Sequence, residues 1–88
     1  MKFLVKVRVN TAKLKEFGEA LRKNALDRSC VRGETYCLNE DPAVGYSIWE
    51  TENGDEFERK FREWKEFYSE TEVREVISPN EAMAKLFT

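Results

Sequence analysis

The side chains best able to hold a charged ligand lie near the amino terminus, where Lys6 and Arg8 alternate with the apolar residues Val5 and Val7. Alternation with a period of two is typical of a β-strand with one apolar face and one mixed face. On such a strand the two cations share a face, where they favour either an anionic ligand or paired carboxylates. We therefore expect a charged surface on one side of a sheet.

Later strands offer further candidates for the same surface. Glu34 supplies a carboxylate, Tyr36 and Trp49 supply aromatic walls, and Arg74 adds a third cation. A small anionic or aromatic molecule could bind among such groups, or the groups could pair with one another and hold a sheet in register. The predicted ligand-binding set is Lys6, Arg8, Glu34, Tyr36, Trp49 and Arg74.

Catalysis is harder to assign to these residues. The sequence contains no histidine, so proton transfer would fall to Lys6, Glu34, Tyr36 or Cys37, each with a pKa shifted by its surroundings. Neither a phosphate-cradling glycine loop nor a nucleophile elbow is recognisable. Catalytic residues are therefore not assigned, and no cofactor is expected.

The two cysteines, Cys30 and Cys37, do not form a recognisable functional motif. Their spacing does not match a CxxC redox pair, and without histidine they cannot complete a Cys/His metal set. On one regular strand their odd separation would point them to opposite faces. We expect reduced thiols that contribute to packing, with a reactive Cys37 as the alternative, and no metal site.

The net charge of −2 conceals an asymmetry along the chain. Residues 1–32 contain nine Lys or Arg against three Asp or Glu, whereas the remainder contains six against fourteen. An acidic second half repels phosphate as strongly as a basic first half attracts it, so we do not expect nucleic acid as a partner. Complementary faces within one domain or across a dimer are the simpler interpretation.

Residues 45–49 loosely match the third strand of RNA-recognition motifs, which have the same element order as this chain. However, Val44 stands where a basic residue belongs, and Ile48 replaces a stacking aromatic. We therefore interpret Tyr46 and Ile48 as core residues that face the helices, and we do not predict RNA binding.

The elements that must position these side chains follow from hydrophobic periodicity in a single domain of 88 residues. Asn10 or Thr11 caps a first helix whose apolar stripe continues to Ala25, and Gly33 suggests a bulge in the second strand. A second helix carries an apolar stripe, and Ser78, Pro79 and Glu81 form a capping box for a terminal helix. The second helix's stripe consists of Phe57, Phe61, Trp64 and Tyr68.

The resulting order is βαββαβ followed by a short helix. Two interleaved βαβ units of this kind build a four-stranded antiparallel sheet with both main helices on one face, which is the ferredoxin-like α+β fold. The opposite sheet face is left open, and apolar residues of the terminal helix require a further docking surface. An open antiparallel face can be solvated, bind a ligand or pack against a second sheet.

Residues 44–50, the helix of Trp64, the pair Glu72-Val73 and residues 76–82 together resemble small prokaryotic domain-of-unknown-function proteins of the dimeric α/β-barrel superfamily. That superfamily also contains muconolactone isomerase and the cofactorless antibiotic-biosynthesis monooxygenases. The resemblance implies a homodimer whose two sheets face one another and enclose a barrel-like interior. It implies no particular reaction, because one fold hosts many functions.

Three hypotheses follow. In the first, a cytoplasmic homodimer binds a small molecule between its facing sheets; the cytoplasm is expected because no signal peptide or membrane-spanning run is visible. In the second, the interior is fully packed and the protein is a structural or protein-interaction module. In the third, it is a small cofactorless isomerase or monooxygenase.

Overall fold

The computed structural model describes residues 1–88 and confirms the predicted element order. A short 3-10 turn, Thr11–Lys13, precedes the first helix, and its amide at Ala12 donates to the side chain of Asn10. The strands and helices are β1 (Lys2–Val9), α1 (Leu14–Arg22), β2 (Val31–Cys37), β3 (Val44–Glu50), α2 (Gly54–Lys65), β4 (Tyr68–Val76) and α3 (Pro79–Leu86).

The four strands form one antiparallel sheet in the order β2-β3-β1-β4. β1 lies inside the sheet between β3 and β4, so each βαβ unit spans the strand that belongs to the other unit. This interleaving is characteristic of the ferredoxin-like α+β fold, which the structure therefore confirms.

The register determines which side chains share a face. Phe3 lies opposite Trp49, and Val5 lies opposite Ser47 in β3 and Val73 in β4. Directly opposed residues of antiparallel strands point to the same side of the sheet. We call the side of Phe3 and Val5 the helix face. The other side, the open face, carries Leu4, Lys6, Arg8, Tyr46 and Ile48.

The hydrophobic core lies between the helix face and α2. Phe57, Phe61 and Trp64 of α2 are all buried, and the ring centroids of Phe3 and Phe57 are 4.6 Å apart. α2 begins at a specific signal, because the Asn53 side chain accepts a hydrogen bond of 2.8 Å from a first-turn amide. The predicted aromatic stripe thus forms the main packing contact of the fold.

Two predicted boundaries are wrong. Ala25 does not extend α1, which ends at Arg22 and is followed by Asn24 in the left-handed region at φ 56°. Tyr68 does not continue α2, which ends at Lys65; it instead opens β4 opposite Val9. Its four-residue spacing from Trp64 fits a helix, but long-range pairing with β1 determines its conformation.

The predicted bulge is present, and the Ser78 half of the predicted terminal capping box is present. Gly33 has φ 69°, a left-handed conformation that favours glycine, and the register of β2 shifts next to it. The Ser78 hydroxyl accepts from the Glu81 amide at 3.2 Å and begins α3. None of the three helices combines the length and apolar character needed to cross a membrane.

Candidate functional site

A cavity of about 240 Å³ lies on the helix face, between the sheet and α1. Val5 and Val7 contribute from β1, and Phe17 and Leu21 contribute from α1. The cavity exists because α1 buries none of its residues, so its apolar side chains approach the sheet without filling the space beneath them. We call this space the helix-side cavity.

Gly45 keeps part of this space open. A Cβ atom at this position would lie 3.6 Å from Cys37 Sγ and 3.8 Å from Val7 Cγ2, which are ordinary van der Waals distances. A side chain at this position would therefore begin without a clash with its neighbours, but it would project into the cavity. The sequence signal for this feature is a glycine in mid-strand, which often marks close approach of another group.

Aromatic side chains form one wall of the helix-side cavity. Trp49 meets Phe61 and Trp64 edge-on, with ring centroids 5.4 and 5.9 Å apart. Both indole nitrogens already have partners, since Trp49 Nε1 donates to Ser47 Oγ at 3.1 Å and Trp64 Nε1 donates to the Asp27 carbonyl at 3.0 Å. The wall therefore presents apolar ring surface to whatever occupies the cavity.

A few polar groups also line the cavity, among them Thr35, Cys37, Ser47 and Tyr68. Burial raises the pKa of the Tyr68 phenol well above its usual range, with a smaller contribution from Cys37. Tyr68 therefore stays protonated at neutral pH and can donate a hydrogen bond. Both cysteines are free thiols, with Cys30 buried and Cys37 exposed.

The loop between α1 and β2 also borders the cavity and contributes Arg28. Its neighbour Asp27 is bound by the Lys60 ammonium of α2 at 2.9 Å. Hydrogen bonds from Ser29 and Lys60 hold the pKa of the Asp27 carboxyl well below its usual range. The loop is therefore fixed to α2 by a side-chain ion pair in addition to the Trp64 contact.

Five of the six residues in the predicted ligand-binding set belong to the open face, and one of these five, Tyr36, also borders the helix-side cavity. Lys6 lies over the Tyr46 ring, 6.0 Å from its centroid, and Arg8 binds Asp41 at 2.9 Å. The other three form local pairs within their strands: Tyr36 donates to Glu34 at 2.9 Å, and Arg74 binds Glu72 at 3.3 Å. A second cavity of about 380 Å³ borders β1 and β4.

Trp49 does not share this face, so its predicted orientation is wrong. It is only 2% exposed and lies on the helix face, opposite Phe3. For the same reason Tyr46 and Ile48, expected to face the helices, lie on the open face opposite Lys6 and Leu4. A one-residue error in strand parity reverses every side chain, and β3 has bulky apolar residues on both faces.

The structure contains no candidate metal site, because no group of three or more His, Cys, Asp or Glu side chains is positioned to hold an ion. Two residues of the predicted ligand-binding set, Tyr36 and Trp49, line the helix-side cavity. Sequence reasoning did not identify Phe17, Gly45 and Arg28 as contributors to a site.

Comparison with known proteins supports the fold. No protein-family model matches the chain, and curated proteins give no significant match. Among solved structures, the chain is similar to 5-chloro-2-hydroxyhydroquinone dehydrochlorinase (TftG) from Burkholderia phenoliruptrix AC1100, in complex with 2,5-dihydroxybenzoquinone. The TM-score is 0.54 at 15% identity, over 92% of this chain and 98% of that chain. At this identity the likeness shows a shared fold.

Proposed function

We propose that this protein binds a small, predominantly apolar ring molecule in the helix-side cavity. The observation that carries the proposal is a cavity of about 240 Å³ lined mainly by aliphatic and aromatic side chains. Pockets for drug-sized ligands measure about 300–1,000 Å³, so this one suits a single ring or a small fused ring. The few polar lining groups would orient such a ligand.

The similar structure provides a second line of support. The dehydrochlorinase is described in complex with 2,5-dihydroxybenzoquinone, a planar six-membered ring with polar substituents. A ring of this size fits the volume beneath α1. We therefore propose a planar ring compound as the ligand class, in place of the predicted site between facing sheets.

Binding is better supported than the two alternatives. A packed structural module concerns the interior between facing sheets, and it gives no role to the helix-side cavity. An isomerase or monooxygenase requires a proton acceptor, but no carboxylate lines the cavity, and the predicted Glu34–Tyr36 pair lies exposed on β2. The polar lining groups Tyr68 and Ser47 suit ligand recognition by hydrogen bonding.

We also propose that the open face packs against a second copy of the chain. Leu4, Tyr46 and Ile48 give this face an apolar strip that is only partly exposed, and Arg8 is already neutralised by Asp41. The end of α3 adds two strongly exposed apolar residues, Leu86 and its C-cap Phe87, at 76% and 80% exposure. Apolar surface of this kind is typical of an interface.

Sedimentation equilibrium tests the dimer. The wild type is expected to sediment as a dimer, and Ile48→Asp should shift it toward monomer because a charge enters the apolar strip. Leu14→Asp is the matched control, since Leu14 is 57% exposed but belongs to α1. A monomeric wild type, or equal effects of the two changes, would contradict this interface.

A two-dimensional ¹⁵N NMR titration with benzamide tests ligand binding. The chain has two tryptophans, Trp49 and Trp64, and both line the cavity, so their two indole N–H signals report on it directly. We expect both signals to shift in a saturable manner. Gly45→Ala should weaken benzamide binding about tenfold, the usual scale for one methyl group in a hydrophobic pocket.

Gly18→Ala is the matched control, because a Cβ atom at Gly18 meets nothing within 4 Å. This variant should bind benzamide as the wild type does. Indole signals that do not respond to benzamide or to 2,5-dihydroxybenzoquinone would contradict the proposed function.

A further inference from the structure

The helix-side cavity contains a single charged side chain, Arg28. Seven ion pairs occur in the structure, and none of them involves Arg28. Arg28 is therefore an exposed lining residue of an apolar cavity, and its guanidinium has no carboxylate partner. A guanidinium presents several N–H donors in one plane, a geometry that matches a carboxylate or another planar anion.

The backbone beside Arg28 is held in place from both sides. Asp27 is fixed to α2 by Lys60 at 2.9 Å and by Trp64 at 3.0 Å. On the other side, the Arg28 carbonyl accepts a hydrogen bond of 3.1 Å from the Val31 amide, and the intervening Cys30 is buried. The base of the Arg28 side chain is therefore positioned before any ligand arrives, which lowers the ordering cost of binding.

The charge around this loop is also favourable for an anion. Residues 1–32, which include α1 and the loop, contain nine basic against three acidic residues. Ion pairs remove charges of both signs in this segment: Glu19 lies within ion-pair distance of Arg22 and Lys23, and Arg32 pairs with Glu50. Arg28 keeps an unpaired positive charge beside the cavity, and such a charge attracts anions.

We propose that the ligand is a small aromatic anion, bound with its ring in the helix-side cavity and its carboxylate or phenolate oxygen on the Arg28 guanidinium. This inference rests on the proposed function and names the ligand class for the same cavity.

Benzoate and benzamide test the proposal, because they are nearly the same size and differ in charge at neutral pH. In NMR titrations at low salt we expect benzoate to bind the wild type about five- to tenfold more tightly than benzamide. In Arg28→Met the ratio of benzoate affinity to benzamide affinity should fall to one or below, while the affinity for benzamide itself is retained. Arg28→Lys should keep part of the preference.

Arg59→Met is the matched control. Arg59 is an exposed arginine of α2 that lines neither of the two cavities described above and forms no ion pair. Its replacement changes the net charge by the same amount. It should leave the preference for benzoate unchanged.

The outcomes separate this inference from the proposed function. If benzamide binds but benzoate is not preferred, or if the preference survives in Arg28→Met, the anionic ligand class is wrong and the cavity remains a ligand site. If benzoate, benzamide and 2,5-dihydroxybenzoquinone all fail to shift the indole signals, both proposals are wrong.

Discussion

The two main helices occupy equivalent positions in the two βαβ units but pack differently. α2 buries Phe57, Phe61 and Trp64, whereas α1 buries no residue. α1 has its own apolar stripe, yet Leu14 and Leu21 remain 57% and 37% exposed. α2 therefore supplies the core, whereas the incomplete docking of α1 leaves the cavity unfilled.

Because the two helices pack unequally, the residues that stabilise the fold differ from those that face a ligand. Side chains of α2 lose most of their accessible surface, and apolar burial is the main favourable term in folding. Side chains of α1 keep part of theirs and face a space that a ligand can enter. Changes in α2 should therefore act on the whole fold, and changes near α1 should act on ligand affinity.

The largest expected effect comes from truncating the α2 core. Phe61 is 4% exposed and contacts Trp49 and Phe57, so Phe61→Ala should lower the free energy of unfolding by about 3–5 kcal/mol. Phe17→Ala in α1 removes a side chain that is only half-buried, and about half that loss is expected. Urea denaturation of both variants measures the difference, and equal losses would contradict the unequal packing of the helices.

A smaller effect in the opposite direction is expected from Gly18→Ala. Gly18 lies inside α1 with open space at its Cβ position, so alanine adds helix propensity worth about 1 kcal/mol without new contacts. Urea denaturation should show this gain while benzamide affinity stays unchanged. A loss of affinity would mean that helix propensity in α1 controls the cavity.

The smallest expected effect concerns the ion pair that holds the Arg28 loop on α2. Asp27 and Lys60 are both partly exposed, so Asp27→Asn should lower the melting temperature by only about 1–5 °C near pH 7. Because the pKa of Asp27 is lowered on folding, its contribution is present above the usual aspartate pKa of about 3.9 and is lost as the pH falls below it.

The difference between wild type and Asp27→Asn should therefore narrow below about pH 4. Glu63→Gln is the control, since Glu63 is exposed on α2 and forms no ion pair. A difference that persists unchanged in acid would contradict the role of this carboxylate.

The fold could be predicted because local signals agreed with the global arrangement. The stripe of Phe57, Phe61 and Trp64 specified α2, and Ser78 with Glu81 specified the start of α3. Tyr68 shows the limit of this reasoning, since helical spacing and strand pairing competed for it. Only the pairing with Val9 decides between them.

The candidate site could not be predicted to the same degree. Tyr46, Ile48 and Trp49 are all bulky and apolar, so the sequence of β3 does not specify which face meets the helices. The cavity depends on how closely α1 approaches the sheet, which is a tertiary property. No sequence motif marks Arg28. Only the structure shows that its charge is unpaired and that it lines the cavity.

The central claim is that ligands enter between the sheet and α1, and adjacent residues of β3 test it most directly. Trp49 faces the helix-side cavity, whereas Ile48 lies on the open face of the same strand. Intermolecular NOEs from bound benzamide should reach the Trp49 ring and be absent at the Ile48 δ-methyl group. NOEs to Ile48 without NOEs to Trp49 would place the ligand on the open face and contradict the account.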